Sequence, residues 1–257
     1  MENAVSEEIR KQIVGILREI EEKENVKVLY AAESGSRAWG VASPDSDYDV
    51  RFIYVRRASD YLRLDEVRDV IEWQLDEVLD INGWDLKKAL RHFHRGNATL
   101  FEWCSSPFVY WTTPEWEKTC ETGRRYFSTK AAMHHYYGTA RATFERFLRG
   151  DSVKYKKYVY ALRPILACRF IEERNAEPPV LFDQLKELAL PQELCAPVER
   201  MLELKRRSGE VEALPQIPAI LGFIEEELCR LERVAMERPD DRKGDWEPLN
   251  MAFWEFL

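Results

Sequence analysis

Two short apolar segments with a turn-rich connection between them constrain this chain most. VKVLYAAE (Val26 to Glu33) begins β-branched and stays apolar, as a buried strand does. YDVRFIYV (Tyr48 to Val55) is a second strand, aromatic and β-branched. Gly35-Ser36 follows the first strand at once, and ASPDSD fills the connection with turn residues. A helix is expected to begin just after Gly35-Ser36. Glycine lets the backbone approach a ligand closely, while a serine hydroxyl and helix-start amides suit the terminal phosphates of a nucleotide.

Asp47 and Asp49 stand two residues apart at the start of the second strand. Alternation turns both carboxylates to one face and Tyr48 to the other. Two convergent carboxylates repel unless a cation lies between them, so the pair is poised for a divalent metal such as Mg²⁺ or Mn²⁺. Two such ions about 3.5–4 Å apart stabilise the attacking and leaving oxygens of an in-line displacement. A third carboxylate is expected on a neighbouring strand. Asp80 in VLDIN is the first choice, as metal ligand and as general base towards an incoming hydroxyl; Asp85, Glu77 and Glu72 compete with it. Arg37 and Arg51 are candidates for phosphate contact as well as for surface ion pairs. Turn and cap residues alone also produce Gly-Ser and Ser-Pro-Asp-Ser. The order of the two halves, with a strand on either side, favours the chemical reading.

Around this block the pattern divides the chain. Val5 to Lys23 has helical spacing through Ile9, Ile13, Ile16, Leu17 and Ile20. A short helix is expected at Ala58 to Leu64, and strands at Asp69 to Gln74 and Glu77 to Ile81, the latter ended by Asn82-Gly83. Trp84 to Phe93 reads as helix, and Ser106 to Thr112 as a strand or extended connection. From Thr113 onward the segments favour helix, with Pro164 expected to kink or divide the one over Val153 to Arg174. The fold class is therefore α+β, with a catalytic domain over 1–112 and an all-helical domain over 113–257.

GS followed closely by DxD on a strand, with a later isolated acid, resembles the nucleotidyltransferase superfamily of DNA polymerase β. More narrowly, GSRAWG, SDYDVR, INGWDLKKAL, the FEW-SP-VY run and KYKKYVYALRP are similar to a bacterial group of predicted nucleotidyltransferases, the RlaP or YcgL-like proteins, some associated with RNA repair. The resemblance spans Val26 to about Arg174. It implies the nucleotidyltransferase fold, a mixed sheet with flanking helices. It also implies Mg²⁺, a nucleoside triphosphate donor, and transfer of a nucleoside monophosphate with loss of pyrophosphate. Gly35 and Ser36 match the phosphate-binding turn, Asp47 and Asp49 the metal pair, and Asp80 the third acid.

A second cluster, Lys154, Lys156, Lys157, Arg163 and Arg169 interleaved with Tyr155, Tyr158 and Tyr160, lies on one expected helix. Lys156, Tyr160 and Arg163 share a stripe, with Lys157 beside it. Such a stripe suits the β- and γ-phosphates, with a tyrosine stacked on a base; a solvated basic face is the plain alternative. In the superfamily, helical second domains commonly close over the nucleotide.

Bulk properties bound these readings. The 257 residues carry a net charge of -8 and a sequence pI near 5.3, which argues against a broad duplex-DNA-binding face. No apolar run spans a bilayer and the N-terminus lacks a signal-peptide layout, so a cytoplasmic protein is expected. Five scattered cysteines with no CxxC pair indicate neither a zinc site nor a disulfide framework. The acceptor hydroxyl is open among an RNA end, a small molecule and a protein side chain. Two other functions compete: a non-catalytic nucleotide-binding module, and an antitoxin-type protein that modifies a partner with AMP.

Overall fold

The computed structural model describes residues 5–43, 46–74, 78–208 and 213–257. These form two units, the first from 1–41, 47–127 and 242–257 and the second from 42–46 and 128–241.

The first unit is built on helix α1 (Glu7–Glu24), strand β1 (Lys27–Glu33), the single turn α2 (Gly35–Ala38), β2 (Tyr48–Val55), α3 (Ala58–Tyr61), β3 (Val70–Gln74), β4 (Leu79–Asp85), α4 (Leu86–His94), α5 (Ala98–Cys104), β5 (Val109–Thr112), α6 (Pro114–Arg124) and the C-terminal α12 (Glu247–Trp254). Its five strands make one mixed sheet in the order β3-β4-β2-β1-β5. β2 and β4 are parallel, and the other neighbours antiparallel. The chain is thus α+β around a mixed sheet, as the sequence leads one to expect.

Strand alternation sends two sets of side chains to opposite faces. Val50, Phe52 and Tyr54 pack with Ile71, Leu79 and Ile81 under the apolar stripe Ile13, Ile16, Leu17 and Ile20 of α1. That helix is stopped at both ends: the Ser6 hydroxyl accepts from the Ile9 amide at 3.2 Å, and Asn25 takes the left-handed conformation. Ile53 and Val55 face the other way, towards Leu86, Leu90 and Phe93 of α4, Phe101 and Trp103 of α5, Trp116 of α6 and Leu249 of α12.

Three local expectations change. β4 runs straight through Asn82-Gly83, because the glycine is needed there for packing: a Cβ on Gly83 would lie 2.2 Å from the Phe52 ring. α5, capped by the Asn97 side chain on the Leu100 amide, was not expected. α6 and α12 join the core of the sheet unit, so the compact units do not follow a cut at residue 112.

The second unit carries α7 (Thr129–Phe147), α8 (Lys156–Arg174), α9 (Phe182–Ala189), α10 (Gln192–Ser208) and α11 (Pro218–Glu237). A two-stranded ribbon of β6 (Ser152–Lys154) and β7 (Ala213–Pro215) adds to the helices expected there. α8 is one helix with Pro164 inside it, so the proline does not divide it. Within this unit the buried Lys205 of α10 donates to the Ser43 hydroxyl at 2.7 Å. Among the described residues, no helix is long and apolar enough to cross a membrane.

Candidate active site

β2 and β4 lie parallel and in register with Asp49 opposite Asp80. Register and alternation place both carboxylates side by side on one face. Arg51, two residues further along β2, shares that face, and its Nη2 donates to Asp49 Oδ1 at 2.8 Å and to Asp80 Oδ2 at 2.7 Å. Its Nη1 reaches the Asp80 carbonyl at 3.2 Å. The Asp49 side chain is 28% exposed and that of Asp80 52%, so one acid of the pair is sheltered and the other wet. Burial raises the Asp49 pKa above its ordinary value; Arg51 opposes the shift, while the charges of Asp80 and Asp47 reinforce it. Asp47 sits one residue before β2 and is exposed.

The Gly35 turn is fitted to Asp49. Gly35 has φ +60°, and a Cβ there would stand 2.2 Å from Asp49 Oδ2, so both conformation and space require glycine. The Ser34 amide donates to the Asp49 carbonyl at 2.8 Å. Ser36 is buried, and its carbonyl accepts from the Val41 amide. Arg37 is buried too; its Nε donates to the Asp47 carbonyl at 3.1 Å and its guanidinium lies 3.8 Å from the Tyr48 ring centroid. The two halves of the motif are therefore physically one structure.

Glu33, the last residue of β1, belongs to this site and was missed by sequence reasoning. It is fully buried. Its Oε1 accepts from the Asp49 amide at 2.8 Å, its Oε2 from the Tyr110 hydroxyl, and its carbonyl from the Ser106 hydroxyl at 2.6 Å. Burial pushes its pKa up to about 7 against the pull of the Tyr110 and Asp49 hydrogen bonds. A single acid ending a largely apolar strand, one residue before Gly-Ser, was the available signal.

The competitors of Asp80 do other work or lie elsewhere. Asp85 occupies the opposite alternation phase of β4, caps α4 through the Lys87 amide at 2.8 Å and accepts from the Tyr61 hydroxyl at 2.8 Å. Glu72 pairs with Arg68 on the surface. Glu77, and the turn residue Asp45, lie outside the described residues.

Lys156, Lys157, Tyr160 and Arg163 all stand on α8 of the second unit. Lys156 and Tyr160 are half-buried, and Lys157 lies over the rings of Phe147 and Tyr160 at 4.0 and 5.2 Å. Arg163 is 2% exposed and donates to the Val180 carbonyl at 3.1 Å, so it sits in the helical core and not on an open stripe.

The Asp47, Asp49 and Asp80 set offers only hard carboxylate oxygens, and a cationic group already bridges two of them. Both features fit Mg²⁺ or Mn²⁺. Among the described residues no group of three metal-ligating side chains has converged; at Asp49 and Asp80 the positive charge belongs to Arg51.

A family model described as "RlaP: RNA repair pathway DNA polymerase beta family" matches residues 9–255. The uncharacterized protein YcgL of Bacillus subtilis (strain 168) is 44% identical over 246 residues, which is 94% of each chain. A crystal structure of a nucleotidyltransferase-like protein from Exiguobacterium sibiricum 255-15 is 14% identical, covering 97% of this chain and 79% of that one. Its TM-score of 0.32 is too low for the likeness to bear on the site.

Proposed function

Because the chain belongs to the RlaP family, the RNA repair pathway DNA polymerase beta family, we propose that it transfers a nucleoside monophosphate from a nucleoside triphosphate to a hydroxyl, an RNA end being the first acceptor to try. The observation that carries this reading is the in-register Asp49–Asp80 pair on parallel neighbouring strands, closed on one side by the Gly35 turn.

In the reaction the acceptor oxygen attacks the α-phosphorus, the bond from that phosphorus to the bridging oxygen of the β-phosphate breaks, and pyrophosphate leaves. The acceptor's proton passes to Asp80, the more exposed of the two acids and so the one within reach of an entering hydroxyl. Asp47, Asp49 and Asp80 would hold one or two divalent ions, which when bound supply Lewis-acid polarisation of the phosphates and neutralise charge between attacking and leaving oxygens. Asp49 is held in place by Glu33 and by the amide of Ser34. Gly35 and Ser36 are assigned to the triphosphate. Arg163 is better read as a core residue.

The test is incubation of purified protein with Mg²⁺ or Mn²⁺ and labelled NTPs, offering RNA and protein acceptors separately. Label on RNA that requires Asp49 and Asp80 supports the reading. Asp80→Asn is expected to slow transfer roughly 100- to 10,000-fold, as for loss of a general base. Label on protein alone would favour the AMP-transferring alternative. Binding of NTP without any transfer would leave a nucleotide-binding module.

A further inference from the structure

Arg51 holds the position between Asp49 and Asp80 that a metal ion would take. A guanidinium two residues from one acid and diagonally across the strand pair from the other is an odd choice for a site meant only to attract cations. It holds the paired carboxylates close, at nitrogen–oxygen distances of 2.7 and 2.8 Å. A divalent ion sits closer to its oxygens, at about 2.0–2.1 Å for Mg²⁺, and repels a guanidinium beside it. The two cations therefore compete for these oxygens.

We infer that Arg51 is a resident counter-ion of the Asp49–Asp80 pair, which a divalent cation must displace, so that this arginine sets the metal affinity and holds the carboxylates in register beforehand. The inference rests on the metal-dependent reading of the site. Without Arg51 the two acids repel each other across adjacent strands, a penalty that the empty protein bears and the metal relieves. With Arg51 the empty site is stable, and metal binds more weakly by the strength of the interactions it breaks. The arrangement makes the site a selective one: a weakly held monovalent ion gains too little to displace the arginine.

The experiment is Mn²⁺ titration by electron paramagnetic resonance, without nucleotide, on the wild type, Arg51→Gln, Arg51→Lys and Asp49→Asn. Arg51→Gln is expected to bind Mn²⁺ roughly tenfold more tightly, the low end for charge-assisted hydrogen bonds at a partly exposed pair. Arg51→Lys should stay near the wild type, since it restores the charge. Melting scans should show Arg51→Gln less stable than wild type without metal and gaining more from added Mn²⁺. If the wild type binds Mn²⁺ through Asp49 and Arg51→Gln binds it no better, the arginine inference is overturned and the metal reading stands. If neither protein binds Mn²⁺, both fall. Should Arg51→Gln not fold, the side-chain resonances of Arg51 in the wild type decide. Displacement by Mg²⁺ would release its Nη protons to solvent exchange, and unchanged protection would overturn the inference.

Discussion

Glu33 and Gly35 bracket Ser34 and both act on Asp49, one from its amide and one from its carboxylate. Their substitutions should fail in different ways. Glu33→Ala strips partners from the Asp49 amide and the buried Tyr110 hydroxyl, and each unsatisfied group is costly. A loss of roughly 2–4 kcal/mol is expected in urea denaturation, with Glu33→Gln recovering most of it. Gly35→Ala forces a side chain into a left-handed backbone, which costs about 1–2 kcal/mol, and pushes on the Asp49 carboxylate. Its signature is therefore a modest fall in melting temperature with a disproportionate loss of Mn²⁺ binding; a fall in stability with metal binding intact would contradict the fit described for the turn. At this scale the sequence was legible where residue type carries the candidate chemistry: Asp49 lies opposite Asp80 and against Gly35, all of them singled out from the sequence along with Asp47. Glu33 was not, because a buried acid is recognised only by the partners folding brings to it, and Ser106 and Tyr110 lie more than seventy residues away.

β4 is the element in which sequence reading went astray and from which two measurements follow. Asn-Gly is a strong turn signal, yet a glycine inside a strand also marks close approach by a neighbour. Only the partner strand reveals which applies, and here it brings Phe52. Gly83→Ala should destabilise by about 1–3 kcal/mol through overpacking, and Phe52→Leu in the same chain should return part of that loss. Additive losses in a double-mutant cycle would argue against the contact. The end of the same strand carries Asp85, whose pKa is raised above 3.8 by burial, against the hydrogen bonds from Tyr61 and the Lys87 amide. The folded protein then binds this proton more tightly than the unfolded chain. Stability drawn from Asp85 is full below pH 3.8 and is lost as pH rises through the higher folded value. Asp85→Asn keeps an acceptor for the Lys87 amide, so its melting temperature should decline less than that of wild type across this window; parallel curves for the two proteins would refute it. By contrast α1 and β2 were read nearly to the residue, because long amphipathic periodicity and a β-branched run leave little ambiguity.

Over the whole molecule, the chain passes between its two units four times, and the expected cut at residue 112 rested on where the pattern changes from strands to helices. That change reports local conformation, and it carries no information about which core a helix joins. α6 and α12 show the difference, since an apolar stripe looks the same whether it packs on a sheet or on another helix. Trp116 is 1% exposed, stacks on Tyr30 with ring centroids 5.7 Å apart, and shares a core with Leu249 from the far end of the chain. A fragment of residues 1–112 would uncover this face. Removing a single large buried aromatic typically costs about 3–5 kcal/mol. That is already a large share of a domain's total stability of about 5–15 kcal/mol. The fragment loses Trp116, Tyr126 and Leu249 together, so it should keep helical and strand signal in circular dichroism without a cooperative melt or a dispersed amide spectrum. The full chain lacking 242–257 should melt at a lower temperature, with the loss falling on the sheet unit. If the 1–112 fragment instead unfolds cooperatively and binds Mn²⁺ like the intact protein, the core described for α6 and α12 is dispensable, and the sheet with α1, α4 and α5 is the true folding unit.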